Sequence, residues 1–137
     1  MADCVFCKIV AGGIPSQKLF ESDKILSIVD INPVAFGHSL VIPKAHHATF
    51  TDLPAELAVD LMKAAQEVAA AVVKTTGAEG FNLLMNNGAC SGQLIPHAHY
   101  HVIPRKADDG VKFKWVTKKY GAGEIEKQAE AIRAALK

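Results

Sequence analysis

The chain carries almost no net charge: 15 lysines and arginines stand against 14 aspartates and glutamates, a formal +1 over 137 residues. That balance excludes nucleic-acid binding through bulk electrostatics, so any nucleotide chemistry has to be local. No apolar run approaches the roughly 18 residues that a membrane span requires, and no membrane partner is expected. Cysteine is scarce at three residues. An odd number, with two of them in Cys4-x-x-Cys7, suits a reducing compartment better than a disulfide framework. The opening Met-Ala-Asp-Cys-Val-Phe-Cys-Lys has neither a basic n-region nor an apolar h-region, so no signal peptide is read and the expected location is the cytoplasm. Repeats and low-complexity stretches are missing too. One domain over residues 1–137 is the expectation, long enough to bury about two-thirds of its unfolded surface.

What is present is an ordinary globular profile, half hydrophobic and about a fifth charged. Lys18–Ser22 and Ile25–Asp30 read as strands around the turn Ser22-Asp23-Lys24, and Ser39–Pro43 as a third strand. From Pro54 to about Thr75, Leu57, Leu61, Ala65, Val68 and Val72 recur at steps of three and four. That spacing predicts an amphipathic helix with Asp52 as N-cap and Gly77 as its stop. Phe81–Met85 and His97–Pro104 are further strands, joined by the loop Asn86–Gln93, which is rich in small residues. A last helix is expected from about Ala122 to Leu136. The order β-β-β-α-β-β-α lacks regular βαβ alternation and predicts an α+β fold on a mainly antiparallel sheet.

Three of the six histidines fall at every second position of His97-Ala-His99-Tyr-His101. In a strand these would share one face. The preceding loop, with Gly88, Gly92, Asn86 and Asn87, can turn backbone amides into one concavity suited to an anion. A phosphate held there would meet the histidines, and a neutral imidazole whose far nitrogen is held by an acceptor is a good nucleophile toward phosphorus. A catalytic metal site is the other chemistry open to paired histidines on a strand. No aspartate or glutamate lies in the segment or its immediate flanks to complete it.

Gly92-Gln93-x-x-x-His97-x-His99-x-His101-x-x-Pro104-Arg105 resembles the signature of the histidine triad (HIT) nucleotide hydrolases and transferases. Cys4-x-x-Cys7-Lys8-Ile9, Ile14-Pro15, Asp30-Ile31-Asn32-Pro33, Gly37-His38 and Leu40–Lys44 match the same family in order. The resemblance implies a five-stranded, mainly antiparallel sheet with two helices, paired into a homodimer across a helix and an edge strand. It implies that His99 attacks the α-phosphorus of a purine nucleotide (an AMP or GMP moiety), forming a covalent nucleotidyl-histidine. The substrates would be nucleoside phosphoramidates or dinucleoside polyphosphates. His101 would contact the α-phosphate, and His38 with His97 would form a polar relay. Asp30 matches the ribose site, Phe6, Ile9, Ile28 and Ile31 the base slot, and Asn86, Gly92 and Gln93 the phosphate loop.

Two departures stand out. Leu94 follows Gly-Gln where many relatives carry a polar residue, so only its backbone amide can serve the leaving group there. Phe36 precedes Gly37 where proline is common. Leu94 keeps a second reading open, a nucleotide-binding regulator with vestigial hydrolysis. For Cys4-x-x-Cys7, a thioredoxin-type site lacks the strand that should precede it. By the resemblance, His46 and His97 complete a closed structural zinc site, one ion per chain, and no organic cofactor is implied. His97 is then claimed by both zinc and relay. His47 is expected to be an exposed neighbour, Cys90 a small loop residue, and Trp115 with its surrounding lysines a solvated segment.

Overall fold

A computed structural model describes residues 3–136. It opens on an element absent from the sequence reading, the six-residue helix α1 (Val5–Val10), with Cys4 as N-cap. One turn of helix puts residues three apart on one side, so Cys4 and Cys7 face the same way while Phe6 and Ile9 are buried. Among the described residues the α-helices are therefore three rather than two.

β1 (Lys18–Glu21), β2 (Ile25–Val29), β3 (Ser39–Pro43), β4 (Gly80–Leu84) and β5 (Tyr100–Arg105) form one sheet in the order β1-β2-β3-β5-β4. Every pairing is antiparallel, as expected. Between β3 and β4 runs α2 (Ala55–Thr76), ended by Gly77 in the left-handed conformation at φ 64°. Its N-cap is Pro54, not Asp52. Asp52 closes the preceding turn instead, accepting from the Thr49 amide at 2.9 Å and the Thr49 hydroxyl at 2.7 Å. α3 (Glu124–Ala135) follows an extended tail and has no buried residue. No helix among the described residues is long and apolar enough to cross a membrane.

Strand alternation divides the core into two layers. Ile25, Val41, Tyr100 and Val102 pack under α2 against Leu57, Leu61, Ala65, Val68 and Val72. Leu26, Ile28, Leu40 and Ile42 point the other way and are covered by α1 through Cys4, Phe6 and Ile9. His101 and Ile103 alternate with Tyr100 and Val102, so they project on the α1 side. The loop joining β2 to β3 returns beside the end of α2 through Gly37, at φ +96°, where a Cβ would sit 2.6 Å from Thr76 Cγ2. Only glycine fits that crossing.

Candidate active site

The triad does not lie along one strand. β5 begins at Tyr100, opposite Val41 of β3, and His97 and His99 precede it. The physical reason is where the backbone groups go. The Ala98 amide donates to His47 O at 2.7 Å, the His97 amide to Ile95 O at 2.8 Å, and the His97 carbonyl accepts from the His99 ring at 2.6 Å. With those groups spent, there is no ladder to extend. Only His101 is a strand residue, and the three imidazoles separate. The rings of His99 and His101 are neighbours, centroids 4.8 Å apart, while the ring of His97 turns toward His46, at 4.9 Å.

A carbonyl only accepts and a backbone amide only donates, so the hydrogen bonds fix each neutral tautomer. His99 Nδ1 must carry the proton given to His97 O, which leaves Nε2 with a free lone pair. The Val34 amide donates to His38 Nδ1 at 3.2 Å. His38 Nε2 then holds the proton and donates to His101 Nδ1 at 2.9 Å, so His101 presents Nε2–H. His97 donates from Nε2 to Pro43 O at 2.7 Å and keeps the Nδ1 lone pair. The expected relay of His38 with His97 is not formed: His38 is engaged by His101, and the ring of His97 points at the cysteines.

Burial keeps all four rings neutral near pH 7. Desolvation pushes His97, His99 and His38 below the ordinary histidine value, against the opposing pull of a hydrogen bond or of Asp30. His101 falls furthest, to about 4, through desolvation and then the neighbouring His99 and His38. Among the described residues Asp30 is the one carboxylate at the cluster, with Oδ2 3.6 Å from His38 Nε2. Its Oδ1 accepts from the Asn32 amide at 2.8 Å.

Behind the triad, Cys4 Sγ lies 3.4 Å and Cys7 Sγ 3.7 Å from His97 Nδ1, and Cys7 Sγ lies 3.4 Å from His46 Nδ1. The four donor atoms all fall within 4.8 Å of one another. Tetrahedral zinc, with bonds of about 2.3 Å to sulfur and about 2.0 Å to nitrogen, needs ligand edges of about 3.4–3.8 Å. Two thiols and two imidazoles at these separations fit that ion. Pro43 O supplies the outer hydrogen bond that fixes a ligating histidine.

The remaining predicted residues fall into three groups. Phe6, Ile9 and Ile28 are core residues, 4%, 8% and 4% exposed, whereas Ile31 is 86% exposed; of the expected base slot, only Ile31 offers open surface. Asn86 is held near the loop by donation to Gly92 O at 3.4 Å. Both ends of the Gln93 side chain brace the loop, accepting from the Gly88 amide at 2.8 Å and donating to Ala48 O at 2.7 Å. The Leu94 side chain is 93% exposed and has nothing to donate. His47 is half-buried rather than exposed, since its carbonyl serves Ala98.

The sequence reading also missed what surrounds the cluster. A cavity of about 690 Å³ is bounded by His38, His101, Asn86 and Ser91 on one side and by Val111, Lys112, Phe113 and Trp115 on the other. The tail thus forms one wall of the cavity, while Trp115 and its surrounding lysines stay solvent-exposed as expected. Arg105 pins that wall, donating to Asp109 at 2.7 Å, Asn82 at 2.8 Å and Val111 O at 2.9 Å. Its guanidinium carbon lies 5.6 Å from the centre of the Phe113 ring. The only sequence signal was Arg105 itself, closing the triad motif.

Comparison with known proteins returns one family. Residues 11–108 match the HIT domain. The chain is 49% identical over 107 residues to an adenylylsulfatase of Arabidopsis thaliana, covering 78% of this chain and 54% of that protein, so it spans about half the plant relative's length. It is 37% identical over 135 residues to an adenosine 5'-monophosphoramidase of Schizosaccharomyces pombe, covering 98% of both. A solved structure from Streptococcus mutans superposes with a TM-score of 0.95 at 37% identity, covering 100% of this chain and 87% of that one. A zinc-bound histidine triad protein from Mycobacterium smegmatis superposes at 0.77, with 34% identity and 99% of both chains covered.

Proposed function

This chain belongs to the HIT-domain family, and from that premise we propose that it is a hydrolase of nucleotides. Its substrates would be purine nucleoside phosphoramidates or dinucleoside polyphosphates, attacked at the α-phosphorus. The carrying observation is the 2.6 Å hydrogen bond from His99 Nδ1 to His97 O, which leaves Nε2 as an oriented, uncharged nucleophile. His99 Nε2 forms a bond to phosphorus as the bond to the leaving nitrogen or oxygen breaks. The leaving group takes its proton from water, since Leu94 has none to give. The nucleotidylated ring keeps its proton on Nδ1, hydrogen-bonded to His97 O. Water then adds to phosphorus, Nε2 leaves as neutral imidazole, and the water's proton goes to solvent.

His101 Nε2–H donates to a phosphoryl oxygen, and His38 holds it in that tautomer. We assign the ribose to Asp30, whose carboxylate can accept two hydroxyl hydrogen bonds, and the base to the adjoining side at Ile31. Phe6, Ile9 and Ile28 support that side from the core, and Asn86, Gly92 and Gln93 shape the phosphate loop. Cys4, Cys7, His46 and His97 would hold one zinc ion, which when bound contributes structural cross-linking rather than a reacting group. The three free cysteines, Cys4, Cys7 and Cys90, support a reducing, cytoplasmic setting. The exposed β4 edge and the uncovered side of α3 support a homodimer.

Adenosine phosphoramidate assayed with wild type and His99→Ala, each with and without chelator, tests this reading. We expect wild-type turnover and a loss of about 1,000-fold or more in His99→Ala. Full activity in His99→Ala ends the assignment. Binding without turnover in the wild type would favour the nucleotide-binding regulator, the reading that Leu94 sustains. A zinc metallohydrolase using all three triad histidines finds no support in the geometry, because their lone pairs do not converge.

A further inference from the structure

We infer that the Cys4-Cys7-His46-His97 cluster, acting through Phe6 of α1 and through the His97 peptide, is what keeps the His99 ring in register. The inference rests on the reading of His99 as nucleophile and concerns what keeps that nucleophile aimed. His97 carries two anchors in one residue. Its ring is fully buried and tied at Nε2 to Pro43 O at 2.7 Å, with Nδ1 facing Cys4 Sγ at 3.4 Å. Its carbonyl is the acceptor for His99 Nδ1 at 2.6 Å. A ring held by the cluster therefore fixes the peptide that selects the His99 tautomer.

The second contact comes from α1. Phe6 lies between the two cysteines in sequence and packs edge-on against both triad rings. Its centroid is 4.8 Å from that of His99 at 72° and 5.8 Å from that of His97 at 86°. Edge-to-face packing resists tilting of either ring, and a six-residue helix has little stability of its own. What ties α1 down is the burial of Phe6 and Ile9 together with its two cysteines. Release of the sulfurs would loosen Phe6 and leave the ring of His97 held through Pro43 O alone. Near-attack geometry tolerates little such drift, and about 1 Å of misplacement can cost roughly 100-fold in rate.

Four preparations test this: zinc-loaded wild type, the same protein stripped with a chelator and reloaded with zinc, Phe6→Leu, and His99→Ala. Phe6→Leu retains the four donors and a core side chain should the stripped protein unfold. The readouts are zinc content, kcat and KM on adenosine phosphoramidate, and the imidazole ¹⁵N spectrum without substrate, with His99 assigned by its loss in His99→Ala. In Phe6→Leu we expect zinc to be retained and kcat to fall about tenfold or more, a larger factor than any rise in KM. His99 should shift from one protonated Nδ1 to a mixture of tautomers, and in the stripped protein it should do the same and recover on reloading. A merely structural role would lower thermal stability while leaving His99 in one tautomer with wild-type kcat, and that result overturns the inference. An inactive His99→Ala beside an unaffected Phe6→Leu overturns the positioning alone. An active His99→Ala overturns it together with the nucleophile reading.

Discussion

Gly37 and His101 show how much single residues decide here. At Gly37 a side chain meets two penalties: a left-handed backbone at φ +96° and a contact of 2.6 Å with Thr76 Cγ2. Gly37→Ala should therefore cost about 2 kcal/mol or more in a urea unfolding curve. Thr76→Ser in the same background, by removing Cγ2, should restore part of the loss but not the backbone term. His101 makes a pH prediction. Its folded pKa of about 4 lies below the ordinary 6.5, so between those values the unfolded chain binds the proton more readily and stability rises with pH. Its neighbours His38, His99 and Asp30 set the balance, and His38 is shifted in the same direction. The melting temperature should fall as pH drops from 6.5 toward 4, and His101→Gln should flatten that slope. A slope of unchanged steepness in the variant would assign the acid sensitivity elsewhere. That His38, His99, His101 and Asp30 gather in one cluster was legible from motif order. The actual partners were not, because the Val34 amide, Pro43 O and His97 O are backbone groups that every residue possesses.

At the scale of elements, periodicity identified what large apolar faces specify. β2, β3 and α2 bury enough surface for hydrophobic spacing to declare them, and Leu61, fully buried under the sheet, marks the centre of that packing. Leu61→Ala should cost about 2–5 kcal/mol in chemical denaturation. α1 was illegible for the opposite reason: six residues give barely one and a half turns, and its placement comes from the cysteines and Phe6 rather than from propensity. β5 starts three residues later than the alternation His-x-His-x-His predicts, because the backbone groups of His97 and Ala98 are spent elsewhere. The tail from Asp109 to Phe113 is a further case, since one arginine organises it. Arg105→Ala should raise amide exchange across residues 107–113 with little change in global stability. Exchange rates like those of wild type would show that the tail holds its place without the clamp.

For the molecule as a whole, the uncovered surfaces stand out. β4 ends the sheet, and on α3 Ile125 and Ile132 remain 54% and 53% exposed, with the C-cap Leu136 at 79%. Sedimentation should give a dimer, and Ile125→Glu with Ile132→Glu should shift it toward monomer if α3 contributes to the contact. A dimer unaffected by the pair of charges would assign the interface to β4 and α2 instead. The directed chain Val34 N–H to His38 to His101 has a consequence for solution conditions. It aims positive dipole ends at the cavity beside His38 and His101, the proposed phosphate site, from rings that carry no charge, in a protein whose net charge is +1. Attraction built from fixed dipoles at contact distance is not diluted by mobile counter-ions as a lysine or arginine cluster is. Raising sodium chloride from about 0.05 to about 0.5 M should therefore change KM for a mononucleotide substrate by no more than a few-fold, and phosphate recognition here should persist in brine.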